Sequence, residues 1–172
     1  MNETMQTLIN RRSCRSYKAE QIKEEDLQQI LQAGMYAATG RGLQPVKIVV
    51  VQDPETIAQL RRMNAEIMGV TSDPFYGAPT VCVILADGDA MTWLEDGALV
   101  LGNMMLAAES VGAASCWIHR ARQEFDSPEG KALLKKWGIP ERFLGVGHCI
   151  LGYAAEKPAP AKARKADFIH RI

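Results

Sequence analysis

The segment Arg11-Arg12-Ser13-Cys14-Arg15-Ser16-Tyr17 places three guanidinium groups and two serine hydroxyls within seven positions. A guanidinium is a rigid fork of donors that suits phosphate and the carbonyl edge of a planar ring. Three such groups packed so closely repel one another, and an anion among them removes that cost. A second basic pair, Lys162 and Arg164, stands in a Pro-rich stretch near the other end of the chain. Residue types and spacing together point to a phosphorylated or planar ligand.

Other chemistries lack parts. Gly145-Val146-Gly147 leads into a strand and does not follow one into a helix, so it is not a dinucleotide fingerprint. Gly40-Arg41-Gly42 has the wrong neighbours for a phosphate loop, and no G-K-[ST] string occurs. His119, His148 and His170 have no nucleophile beside them and read as structural residues. The four cysteines, Cys14, Cys82, Cys116 and Cys149, are scattered, which gives neither metal-ligand spacing nor a disulfide framework. No metal site is expected. A chain that can bind such a ligand but carries no acid–base constellation fits an enzyme whose cofactor does the reaction.

The 172 residues suit one domain spanning 1–172, and 47% hydrophobic residues suffice for a core. Twenty basic and twenty acidic side chains cancel, which argues against nucleic acid or an anionic membrane as partner. No apolar run is long enough to cross a bilayer and the first residues are polar, so a cytoplasmic location is expected.

The elements that must position these residues follow from periodicity. Met5, Leu8 and Ile9 mark a short helix that delivers the arginines. Leu27, Ile30, Leu31 and Gly34 mark a second, after an acidic first turn. Val46 to Val51 is a strand. Asp53-Pro54-Glu55 caps and opens a helix carrying Ile57, Leu60 and Asn64. Thr80 to Ala86 reads as a strand buried on both faces. Thr92 to Val111 is the longest helix, apolar almost all round, and belongs in a core or a subunit interface. Ala114 to Ile118 is a strand, Ser127-Pro128-Glu129 opens a helix ending near Trp137, and Val146 to Tyr153 is the last strand. Residues 154–172 are rich in Ala, Pro and Lys but end in Phe168-Ile169-His170, which predicts an arm that docks on a second copy of the chain.

In order along its length the chain resembles the nitroreductase family, small FMN-dependent NAD(P)H oxidoreductases. The strings are Arg11 to Arg15, like R-R-S-x-R; Ala38 to Pro45, like P-S-x-x-N-x-Q-P; Phe75-Tyr76-Gly77-Ala78-Pro79; Asn103 to Ala108 within the central helix; Ser115-Cys116-Trp117-Ile118; and Leu151-Gly152-Tyr153 followed by a K-x-R. The resemblance implies an α+β fold, a mixed, mainly antiparallel sheet flanked by helices. It also implies an intertwined homodimer that exchanges C-terminal strands. FMN is the implied cofactor, held at the dimer interface, and NAD(P)H the implied electron donor. A nitroaromatic, a quinone or a similar small molecule would accept the electrons in a ping-pong scheme.

By the same resemblance Arg11, Arg12, Ser13 and Arg15 would hold the FMN phosphate, ribityl chain and pyrimidine edge, with Lys162 and Arg164 completing the phosphate clamp. Asn64 would hydrogen-bond the flavin ring. Ala38, Thr39, Gly40 and Gly42 would reach the flavin from the partner subunit, and Trp117 and Ile118 would lie near its reactive side. The flavin carries the chemistry, so no catalytic side chain is expected. Ala38-Thr39 replaces the family's Pro-Ser and Gly42 its Asn, which removes one polar contact and opens space. Two alternatives stay open: a flavoenzyme of the same fold with dehydrogenase, dehalogenase or flavin-processing chemistry, and a non-catalytic module for a phosphorylated ligand.

Overall fold

A computed structural model describes residues 1–172. Six helices and four strands follow one another as α1 (Glu3–Asn10), α2 (Glu24–Met35), β1 (Val46–Val51), α3 (Pro54–Met68), β2 (Thr80–Asp87), α4 (Trp93–Ser110), β3 (Ala114–Ile118), α5 (Ala121–Asp126), α6 (Pro128–Lys136) and β4 (Phe143–Gly152). The strands form one antiparallel sheet in the order β1-β2-β4-β3. This is the expected α+β architecture with an antiparallel sheet flanked by helices.

The continuous apolar run of β2 is explained by its central place. Val81, Val83 and Leu85 face a core shared with Leu60 and Met63 of α3, Phe125 of α5 and Leu133 and Leu134 of α6. Cys82, Ile84 and Ala86 face the opposite core with Leu27 and Ile30 of α2 and Val100, Leu101 and Met104 of α4. Helices therefore cover both faces, and alternate residues of one strand feed two separate cores.

Helix starts obey local chemistry. The Asp53 carboxylate accepts from Thr56 N at 2.8 Å and Pro54 follows in the first turn; Ser127 accepts from Gly130 N at 3.1 Å and Pro128 follows. The long helix stops at Gly112, whose φ of 77° suits a residue without a Cβ. Two features differ from expectation. Helix α5 is additional, and its six residues are too few to show a periodicity. Strand β4 begins at Phe143, three residues before the expected Val146.

Gly145 and Gly147 have a packing role. A Cβ on Gly145 would stand 2.1 Å from the Ala121 carbonyl oxygen, and one on Gly147 would stand 2.7 Å from the Trp117 indole nitrogen. The pair lets α5 and Trp117 lie directly on β4, beside a register shift between Ile84 and Leu85 of β2.

Three surface carboxylates titrate below their ordinary range. Hydrogen bonds from Thr56 hold Asp53 down, one from Arg142 holds Asp87 down, and one from Gln59, then one from Arg62, holds Glu129 down. A depressed folded-state value gives stability that is complete above the unfolded value and is lost as pH falls through the folded one. The Tm should therefore be level near neutrality and fall below about pH 4, where unfolded carboxylates protonate. A pH series of thermal melts checks this, and a Tm rising on acidification would contradict it.

Candidate active site

Helix α1 ends at Asn10, and the chain continues along the outer edge of β3. Ser13 bridges Ser115 in parallel, and Cys14 N donates to the Ser115 carbonyl at 2.9 Å. The chain then crosses to the end of β4, where Tyr17 bridges Ala154. The sheet thus holds the basic segment in place and brings the start of the C-terminal arm beside it. Glu156 to Ala159 and Ser13 to Ser16 line one small cleft. Arg11, Arg12, Ser13, Arg15, Lys162 and Arg164 line the next, of about 280 Å³. Six residues named from two ends of the sequence share this cleft.

The electrostatics are uncompensated. None of these five cations has a carboxylate partner; the ion pairs of the chain lie elsewhere. One guanidinium nitrogen of Arg11, Nη1, is buried without any hydrogen-bond partner. Leaving a charged donor unmet in this way is costly, and an anionic oxygen in the cleft would meet it. Beneath the segment lies the Cys116 thiol. Burial raises its pKa, and the Ser13 hydrogen bond and the charges of Arg15 and Arg11 offset part of that rise. The thiol therefore stays protonated at neutral pH and acts as a buried apolar group, as do Cys82, pushed up to about 12, and Cys149.

Arg12 lines the cleft but has a second task. Its Nη1 donates to the carbonyls of Ile9, Asn10 and Arg11 at 2.7, 3.0 and 2.7 Å, which satisfies the exposed C-terminal end of α1. The guanidinium expected to grip a phosphate is committed at this nitrogen to a helix end.

Ala38, Thr39, Gly40 and Gly42 form a separate loop. Gly40 N donates to buried Asp96 at 2.9 Å, and the other Asp96 oxygen accepts from the Thr92 hydroxyl at 3.0 Å. A Cβ on Gly40 would stand 2.3 Å from that hydroxyl, so the loop is seated against the start of α4. Thr39 lines an apolar cleft with Leu31, Met35, Ile48 and Val100, and none of the loop lines the arginine cleft. One chain does not bring the two groups together.

Two of the expected residues lie in the core of the single chain. Asn64 is wholly buried, and its amide nitrogen donates to the His119 carbonyl at 2.8 Å and to Glu124. The Ile118 side chain points into the core and is buried, so only backbone at this position can face a ligand. Its neighbour Trp117 is half-buried on the other face, against Gly147. The sequence reading missed Asp96 and Glu124, two buried acids that hold backbone and amide groups near these elements. Neither gave a clear signal, since Asp96 follows Glu95 in the first turn of α4 and Glu124 lies on a helix too short to show a period.

The family model described as the Nitroreductase family matches residues 8–74 and 62–153. A Vibrio harveyi protein named NADPH-flavin oxidoreductase is 30% identical over 169 residues, covering 92% of this chain and 68% of that protein. The fold superposes on a nitroreductase of Bacteroides fragilis NCTC 9343 solved with bound FMN, with a TM-score of 0.92, 31% identity and full coverage of both chains. A second nitroreductase with bound FMN, from Desulfitobacterium hafniense DCB-2, gives 0.89 at 27% identity, covering 100% of this chain and 99% of that one. Sequence and fold agree over the sheet, both helical layers and the basic segment, and the chain belongs to the nitroreductase family.

Proposed function

We propose that this chain is an NAD(P)H-dependent oxidoreductase that uses FMN. The observation that carries the reading is the convergence of Arg11, Ser13, Arg15, Lys162 and Arg164 on one cleft, with a buried Arg11 nitrogen left unpaired. Those residues would hold the phosphate and the polar edge of the cofactor, while Arg12 braces the segment from the end of α1. When bound, FMN supplies a two-electron carrier between a nicotinamide donor and a small acceptor. Donor and acceptor would use the same open face in turn, so the protein needs no base of its own. A nitro compound, a quinone or a free flavin fits that role.

The functional unit in this reading is a homodimer. The outer edge of β1 has no strand beside it and lines an open groove of about 730 Å³ with Trp137 and Ile139. Exposed Phe168 and Ile169 at the end of the arm supply apolar residues to fill such a groove on a second copy. In this reading the 38–42 loop of one chain reaches the arginine cleft of the other. No helix is long and apolar enough to cross a membrane.

The visible spectrum of the purified protein, before and after anaerobic addition of NADPH and then NADH, tests the proposal. A flavin band that bleaches is the expected result. A band that persists would transfer the protein to other flavin chemistry on this fold. A colourless protein that also fails to take up FMN would overturn the reading of the clamp.

A further inference from the structure

Three polar side chains lie sealed in the core, and the proposed reaction gives them no task. Asn64 of α3, Glu124 of α5 and His148 of β4 are all wholly buried. One Glu124 oxygen accepts from the Asn64 amide, and the other meets His148 Nε2 at 2.9 Å. The imidazole is otherwise walled by rings, with Phe75 and Phe125 centroids at 5.2 and 6.4 Å.

Stability alone is a poor account of this network. Sealing a carboxyl and an imidazole among apolar groups is commonly no better than a hydrophobic replacement. Here two atoms, Asn64 Oδ1 and His148 Nδ1, also stay unpartnered. What the network holds is a backbone turn. Asn64 Nδ2 bonds the His119 carbonyl at 2.8 Å, and the next carbonyl, of Arg120, takes the first backbone bond of α5, from Glu124 N at 3.0 Å. Between those bonds stands Arg120 with a φ of 82°, a left-handed conformation that costs a non-glycine residue about 1–2 kcal/mol. The turn continues directly from β3, whose Ser115 pairs with Ser13 of the basic cleft. His119 lies four residues on, about 13 Å along a strand. That distance is on the scale separating the phosphate end of a flavin mononucleotide from its ring.

We propose that Asn64, Glu124 and His148 are positioning residues: they fix the His119–Arg120 backbone as a wall at the ring end of the cofactor site. The inference rests on the FMN reading above. The network acts through geometry, so a neutral group that keeps its hydrogen bonds should serve.

The test uses Asn64→Leu, Glu124→Leu and Glu124→Gln. Glutamine can accept from Asn64 and donate to the other imidazole tautomer, which preserves both contacts. In the protein without added flavin, amide exchange at position 124, whose N–H bonds the Arg120 carbonyl, should accelerate by about tenfold in both leucine variants, the scale of one lost hydrogen bond. With FMN bound, kcat for NADPH should fall by a similar factor, about tenfold, and the visible circular dichroism of the flavin should change. Glu124→Gln should recover most of each loss. Parental exchange, kcat and dichroism in a folded Asn64→Leu protein would overturn the proposal, as would a Glu124→Gln variant no better than Glu124→Leu. Should a leucine variant fail to fold, Asn64→Ser shortens the same contact and is read in the same way. Failure of the FMN reading itself would show in the parent, which would bind no flavin while its exchange result still stood.

Discussion

Replacing Arg11 with alanine should raise the Kd for FMN by about 10- to 100-fold, with little change in Tm. The magnitude follows from the worth of a hydrogen bond to a charged group, about 1.5–3 kcal/mol, at 1.4 kcal/mol per factor of ten. Stability should hold because the guanidinium makes no ion pair, and its Nη1 is an unpaired buried donor in the free protein. Removing it costs no internal hydrogen bond or ion pair. Arg164→Ala should weaken binding in the same direction, and the parental affinity should fall as salt rises, since the arm residues are exposed. Arg12→Ala should behave differently, because its Nη1 secures α1 and its loss frays the helix end. Titration of each apo-protein with FMN, followed by flavin fluorescence, separates these cases. An Arg11→Ala protein with parental affinity would remove the arginine cleft from the site.

Gly145→Ala should be among the most damaging single methyl additions in the chain. The new Cβ would meet the Ala121 carbonyl oxygen at 2.1 Å and its carbon at 2.3 Å. Those are backbone atoms and cannot rotate away. Overpacking of a well-filled core costs about 1–3 kcal/mol and sometimes more. The upper end of that range corresponds to about 6–12 °C in Tm for a domain of this size. Because Ala121 opens the helix that carries Glu124, the same change should disturb the His119–Arg120 turn. Thermal unfolding of the variant decides it; a parental Tm would mean that α5 can lift off β4 without penalty.

Much of the scaffold was legible because its signals are local. Asp53-Pro54 and Ser127-Pro128 act as caps within three residues of themselves, and both open helices in the structure. The apolar run at Thr80 to Ala86 announced burial on both faces, and the two cores divide its side chains as alternation requires. The site was legible in part. The two basic clusters could be named, but no spacing rule joins residues at opposite ends of a chain; the bridges Ser13–Ser115 and Tyr17–Ala154 do that. Asn64 could be named from the resemblance, while its partners stayed hidden. Glu124 sits on a helix too short to declare itself, and His148 lies within a strand where the neighbouring Cys149 faces the other core. Arg12 looked identical to Arg11, and only the geometry of the α1 terminus distinguishes a brace from a clamp.

Helix α1 has no buried residue and leaves Met5, Leu8 and Ile9 exposed, yet through Arg12 it is fastened to the segment that forms the arginine cleft. A weakly packed element joined to a binding site shares its ordering free energy with that site. Any surface that covers the apolar side of α1 therefore tightens the hold on an anion, and the anion tightens the hold of that surface by the same factor. If the proposed homodimer supplies that surface, cofactor retention would follow mass action and strengthen as the concentration of chains rises.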